Sequence, residues 1–113
     1  MINGAHVVIY SGDAEADRAF LRDVLGWSHI DAGHGWLIFK APPAEVAFHP
    51  TDGEPSHELM LMCDDLDRTV AELVDQGVEF TRPVQDARWG RVTAFRLPGG
   101  GEIGLYEPRH PRA

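Results

Sequence analysis

Two histidines occupy matching places in an internal repeat. Residues 5–10, AHVVIY, can be laid over residues 56–61, SHELML, so that His6 falls on His57. An imidazole can ligate a metal, contact a small-molecule ligand, or serve as a polar edge residue that donates to a backbone carbonyl. The equivalence of the two positions leaves all three roles open for both histidines.

The same overlay predicts the elements that position these histidines. Asp13 falls on Asp64, two expected helix N-caps, and Gly26 falls on Gly77, where each helix is expected to end. Apolar residues recur at helical spacing between each cap and its glycine. Each half therefore predicts the order βαβββ. The strands expected after the glycines are residues 27–31, 35–40, 45–49, 78–84, 90–96 and 102–107.

Two such units predict one α+β domain. The chain has 113 residues, the size of a single compact domain. We expect two βαβββ modules, residues 5–49 and 56–107, joined by the polar, turn-rich linker 50–55. Each module would form a strongly curved, mixed and mostly antiparallel sheet with one helix on its solvent side.

Charge and cysteine content restrict the partners. The 18 acidic and 10 basic residues give a net charge of −8, which repels phosphate backbones and anionic membranes. A cationic or neutral small molecule is therefore expected as the ligand, with no nucleic acid and no membrane. The single cysteine, Cys63, lies in an apolar run and is expected to be an inert core thiol in a reducing, cytoplasmic compartment. The preference for arginine over lysine is typical of a GC-rich bacterial genome.

Several short motifs follow one another in a specific order. The first half has a histidine-initiated strand and the helix end AFLRDVLGW at 19–27, and the second half has CDDLD at 63–67 and PGGGEIGL at 98–105. Together they resemble the vicinal oxygen chelate superfamily of glyoxalase I, bleomycin-resistance proteins and extradiol dioxygenases over nearly the full length. The resemblance implies two half-barrels that face each other around a cavity. It also implies a divalent metal held by residues of the first and last strands.

The resemblance assigns the metal ligands only in part. His6 and His57 match the first-strand ligands of a divalent metal such as Zn, Ni, Mn or Fe. The last-strand carboxylates are missing, because Ala47 and Gly104 stand in their places. Two imidazoles alone make a weak site, since catalytic metals usually take three or more protein ligands.

Alternation along a strand identifies side chains that could replace the missing carboxylates as metal ligands. Residues two apart share a face of a strand, so Glu107 is expected to face away from Gly104. A shifted metal site would combine the two histidines with either His49 or Glu102. The residues that share a face with Ala47 or Gly104 are Glu45, His49, Glu102 and Tyr106.

Aromatic residues are expected to form part of the cavity wall. By the same alternation Tyr10, His49 and Tyr106 point toward the cavity, as in a small-molecule site. Trp36 and Trp89 begin hairpin strands in equivalent places, where a ring can stack on a flat or cationic ligand. Packing in the core or at a dimer contact is the alternative role for each of them.

Two functions follow from this pattern. The first is a small-molecule-binding protein of the glyoxalase and bleomycin-resistance type with an incomplete metal site. The alternative is a metal-dependent lyase or dioxygenase that acts on vicinal substrate oxygens, with the metal on His6 and His57 and with Glu102 moving a proton. A homodimer is expected in either case. Residues 107–113 are expected to be extended on the surface or to pack across a partner chain.

Overall fold

Residue 1 and residues 3–113 are described by the structure, a computed structural model. The described chain is an α+β fold, as predicted, with two helices, a two-stranded sheet and a four-stranded sheet that do not close into a barrel. No helix in this part of the chain is both long and apolar enough to cross a membrane. The helices are α1 (Ala14–Asp23) and α2 (Leu66–Asp75), and the strands are β1 (His29–Asp31), β2 (Leu37–Phe39), β3 (Met60–Met62), β4 (Phe80–Ala87), β5 (Gly90–Arg96) and β6 (Glu102–Pro108).

The second half forms the four-stranded sheet, in the order β3-β6-β5-β4. The β3–β6 pair is parallel and the other pairs are antiparallel. Ile103 and Leu105 of β6 are buried in the core. Successive side chains of a strand point to opposite faces, so Gly104 and Tyr106 lie on the other side, which we call the open face. The core side is called the helix face.

Each helix begins at an aspartate whose side chain caps it. The Asp13 carboxylate accepts a hydrogen bond from the Ala16 amide at 3.0 Å, and the Asp65 carboxylate accepts one from the Arg68 amide at 3.1 Å. The prediction of Asp64 as the second cap was therefore wrong by one residue. Asp65 directly precedes the first turn in an extended conformation and places its carboxylate over the free amides.

Both helices contribute to one core on the helix face of the four-stranded sheet. Phe20 of α1 packs against Phe95 of β5, with ring centroids 6.0 Å apart. The helix of the first half therefore covers the sheet of the second half. The buried residues of this core are Phe20, Leu66, Leu73, Val78, Phe95, Leu97, Ile103 and Leu105.

The first half departs most from the expected pattern. β1 and β2 form the expected hairpin, but residues 5–10 and 45–49 were predicted as strands and have no regular secondary structure. Their apolar side chains stay uncovered, because α1 packs on the other half of the chain. The exposed fractions are 63% for Val7, 42% for Ile9, 85% for Val46 and 96% for Phe48.

A glycine turn ties the two halves together. The Gly99 carbonyl accepts a hydrogen bond from the Gly12 amide at 3.0 Å. The Gly99 amide donates to Oδ1 of Asp17 in α1 at 2.7 Å. The turn between β5 and β6 is therefore held by the start of the first helix.

Candidate functional site

An aromatic cluster lies at one end of the open face. The ring of Trp89, in the turn before β5, meets the ring of Tyr106 edge to face, with centroids 5.2 Å apart. The Tyr106 hydroxyl lies 3.1 Å from Nε2 of His110, and those two ring centroids are 5.9 Å apart. We call Trp89 and Tyr106 the aromatic cluster; the His110 ring packs on it. Trp89 keeps 44% of its surface exposed, so the cluster is partly open to solvent.

The electrostatic surroundings of the cluster are acidic on one side. Burial raises the pKa of the Tyr106 phenol, and the negative charge of Glu45 raises it further, while Arg112 opposes the shift. Glu45 belongs to the first half and accepts a hydrogen bond from the Ala113 amide at 2.6 Å. Glu45 of the first half therefore contributes negative charge to the surroundings of Tyr106 in the second half.

The predicted last-strand metal position has no space for a carboxylate. A Cβ atom at Gly104 would lie 2.9 Å from Cγ of Met60, on the neighbouring strand. Glu102, the predicted proton carrier, is paired with Arg82 at 2.9 Å. Among the described residues no group of three or more histidine, cysteine, aspartate or glutamate side chains is close enough to hold a metal. The donors present do not fit a catalytic divalent metal.

The first strand of the second half lies one residue out of the expected register. Leu59 and Leu61 pack against the core, so alternation extended back from β3 predicts that His57 lies on the helix face. Glu58 then shares the open face with Met60. Superimposing the caps Asp13 and Asp65 gives the same answer, because Glu58 then falls on His6 instead of His57. Both histidines are exposed, and their assignment as ligands stays a prediction.

The other predicted contact residues lie apart from the aromatic cluster. Tyr10 is 94% exposed. The guanidinium of Arg18, on α1, stacks 4.5 Å above the ring of Trp36. Nδ1 of His49 lies 2.8 Å from the carbonyl oxygen of Pro50. Of the predicted aromatic residues, the structure thus brings Trp89 and Tyr106 together.

Glu107 and Cys63 lie on the helix face. The Glu107 carboxylate accepts a hydrogen bond from the Leu66 amide at 2.9 Å and so completes the start of α2. This confirms the prediction that Glu107 faces away from Gly104. The half-buried thiol of Cys63 donates to the Tyr106 carbonyl at 3.7 Å, and burial raises its pKa. Both groups serve the fold on this side of the sheet.

Two cavities lie outside the predicted site. One, of about 470 Å³, separates α1 from the β1–β2 hairpin and is lined by charges of both signs, including Arg18, Arg22 and Asp31. The other, of about 230 Å³, lies beside Phe20 at the end of α2. Neither is lined by a residue that the sequence indicated for binding or catalysis.

Sequence reasoning missed His110, which packs on the aromatic cluster. It stands in a segment with no periodic pattern, so only its aromatic character and its position a few residues after Tyr106 could have indicated contact. Glu58 is absent from the predicted site residues, because the overlay matches its neighbour His57 with His6. The double aspartate at 64 and 65 was the available signal that the overlay could shift by one residue.

The chain belongs to the Glyoxalase/Bleomycin resistance protein/Dioxygenase superfamily, whose family model matches residues 4–105. This confirms the resemblance found in the sequence. No curated protein is similar enough to count as a match.

Several solved structures resemble this chain closely in fold. TnmS3, an antibiotic binding protein from Streptomyces sp. CB03234, is 29% identical with a TM-score of 0.63, and the match covers 96% of this chain and 99% of that one. A glyoxalase/bleomycin resistance protein from the same organism is 30% identical with a TM-score of 0.59, over 87% and 94% of the two chains. A lactoylglutathione lyase from Agrobacterium tumefaciens is 18% identical with a TM-score of 0.67, over 93% and 92%, and shares the fold alone.

Proposed function

We propose that this protein binds a small aromatic cation at the open face, between the aromatic cluster and Glu45. The observation that carries the proposal is the edge-to-face pair of Trp89 and Tyr106. Glu45 of the other half, which accepts from the Ala113 amide three residues after His110, supplies a negative charge near this pair. Aromatic faces attract cations, and a nearby carboxylate adds to that attraction. The net charge of −8 favours the approach of a cation over the whole surface.

The character of the last strand and the related proteins support binding over catalysis. Met60 fills the space that a carboxylate at Gly104 would need, so a carboxylate in that place would require the Met60 side chain to repack. One similar structure is described as an antibiotic binding protein. We therefore propose sequestration of a small molecule, in the cytoplasm, without a chemical step.

We further propose that two copies associate through the first half of the chain. A compact monomer of this mass exposes about 6,200 Å², whereas this chain exposes 8764 Å². The excess is of the size that one partner buries in an obligate homodimer, about 1,000–2,500 Å². The uncovered side chains of Val46 and Phe48 supply part of that apolar surface.

Proflavine, a planar aromatic cation, is a direct probe of the proposed site. Its fluorescence anisotropy should rise on titration with the native protein. Tyr106→Ala should weaken the affinity about five-fold, from the loss of roughly 1 kcal/mol of cation–π contact. Trp36→Phe is the matched control, because Trp36 stacks with Arg18 instead. Equal affinities for the two variants would contradict the proposed site.

Metal content separates this function from the catalytic alternative. The native protein, purified without a chelator, is expected to hold far less than one divalent metal per chain. Stoichiometric metal that is lost in the His6→Ala, His57→Ala double variant would contradict the proposal. The same conclusion would follow if activity on an α-oxo thiohemiacetal or a catechol vanished with chelator and returned with one specific ion.

The proposed dimer can be tested by light scattering. The native protein should have twice the 12.5 kDa mass of one chain, and Phe48→Asp should shift it to the monomer. Val74→Asp is the control, because Val74 is a half-exposed residue of α2 outside the uncovered surface. A monomeric native protein would refute the association.

A further inference from the structure

The segment that follows β6 folds back over the open face. Residues 109–113, which we call the strap, place the His110 ring against the Tyr106 ring, with its Nε2 3.1 Å from the phenol oxygen. The first residue of the strap is fixed beside the aromatic cluster, because the Arg109 amide donates to the Trp89 carbonyl at 2.8 Å. The Arg109 guanidinium also pairs with Asp86 at 2.8 Å.

The other end of the strap contacts the segment before α2 and the first half of the chain. Arg112 lies 3.4 Å from the Asp64 carboxylate. The Ala113 amide donates to Glu45, a residue of the first half, at 2.6 Å. The strap thus spans from the turn before β5 to the first half of the chain, with Tyr106 beneath it.

The chemistry of the strap matches that of the ligand we propose. It brings an imidazole to the ring of Tyr106 and the Ala113 amide to Glu45, the two groups that we propose for an aromatic cation, while its guanidinium groups pair with Asp86 and Asp64 beside the site. We infer that the strap is a built-in competitor, which occupies the site and must leave before a ligand reaches Tyr106. This inference rests on the proposed function for the identity of the ligand, but the covering of Tyr106 stands on the contacts alone.

The contacts of the strap are weak enough for a ligand to displace it. In the ion pairs of the strap the side chains of Arg109 and Arg112 are about half exposed and those of their partners are 71% exposed for Asp86 and 100% for Asp64, and such pairs hold weakly. A ligand that binds only the open form has its affinity reduced by the fraction of molecules in that form. A weakly held strap therefore sets the affinity without blocking the site permanently.

Tyrosine nitration tests the covering of Tyr106 without any ligand. The chain has two tyrosines, and Tyr10 serves as the internal reference during treatment with tetranitromethane, with peptide mass spectrometry as the readout. His110→Asn combined with Arg112→Gln should raise the Tyr106 nitration rate about five-fold, as expected if the strap is closed in about four-fifths of the molecules. The rate at Tyr10 should not change. An unchanged rate at Tyr106 would overturn the inference.

A control variant with the same changes elsewhere separates the strap from a loss of charge. His34→Asn combined with Arg68→Gln removes the same groups from exposed positions, and asparagine tolerates the positive φ of 52° at position 34. This control should leave the nitration of Tyr106 at the native rate. A rise equal to that of the strap variant would overturn the inference.

Proflavine anisotropy then tests the competition. The strap variant should bind the probe about five-fold more tightly than the control variant. Equal or weaker binding by the strap variant would overturn the competition. If Tyr106 becomes reactive but neither protein binds proflavine, the covering by the strap stands and the proposed function fails.

Discussion

Gly99→Ala should destabilise the protein by about 1–3 kcal/mol, because an added methyl group would be forced between the two halves of the chain. The Gly99 amide donates to Oδ1 of Asp17 at 2.7 Å, and its carbonyl accepts from the Gly12 amide at 3.0 Å. A Cβ atom at this position would lie 2.6 Å from Oδ2 of Asp17 and would also meet Oγ of Ser11. Both contacts oppose the new methyl group from the first half, so the side chains of Asp17 and Ser11 must turn away from the turn or α1 must move.

A neighbouring glycine and a mutant cycle make this prediction specific. A Cβ atom at Gly101 would have an ordinary contact, 3.6 Å from Cδ1 of Leu97, so Gly101→Ala should cost less than about 0.5 kcal/mol. Asp17→Ala removes one of the two clashing groups, so Gly99→Ala should cost less in that background, with a coupling of about 1 kcal/mol. Urea unfolding followed by circular dichroism, at one protein concentration, measures the free energy of unfolding of the native protein, the three single variants and the double variant.

Two results would refute the reasoning about this contact. The first is an equal loss of stability for Gly99→Ala and Gly101→Ala. The second is strict additivity in the cycle with Asp17→Ala. Either result would mean that α1 does not hold the turn between β5 and β6 in solution.

Three further tests concern the helix face and the charge near the aromatic cluster. Glu107→Ala should lower the free energy of unfolding by about 1–2 kcal/mol, because the Leu66 amide loses its acceptor; urea unfolding measures this, and an unchanged midpoint would contradict it. Burial raises the pKa of the Cys63 thiol, so its alkylation by iodoacetamide at pH 8.5 should be slower than that of free cysteine. The free energy of unfolding should also fall as the pH rises through the ordinary thiol pKa, because the thiol of the unfolded chain ionises first. An alkylation rate equal to that of free cysteine would show an exposed thiol. Glu45→Gln should weaken proflavine binding about five-fold, from the loss of roughly 1 kcal/mol of charge attraction, whereas His57→Gln should leave it unchanged, and equal effects would refute the role of Glu45.

The helices and the strands of the second half could be predicted because their signals are local. The Asp13 cap, the helical spacing of apolar residues and the positive φ of Gly77, at 86°, all act within a few residues of one another. The glycine-rich turn at 98–101 likewise marks the start of β6 without reference to the rest of the chain. Such features determine the local backbone conformation independently of the tertiary contacts that the chain makes elsewhere.

The first half could not be predicted to the same extent, because its strands depend on distant partners. Residues 5–10 and 45–49 alternate as strands do, but pairing and burial determine whether a ladder forms. In this chain α1 contributes Phe20 to the core of the second half. The apolar side chains of residues 5–10 and 45–49 therefore stay exposed in this chain.

A one-residue ambiguity in the repeat decides which chemistry the site can perform. The overlay through His57 and Asp64 matches His6, Asp13 and Gly26 at one spacing, yet the capping bond of Asp65 and the packing of Leu59 favour the other register. Extended back from β3, the alternation of faces predicts that this single step exchanges an imidazole for the carboxylate of Glu58 on the open face. A face that presents a carboxylate and aromatic rings, with Met60 filling the space beside Gly104, attracts a cation but offers a metal too few ligands. The register of one short strand therefore favours binding over catalysis.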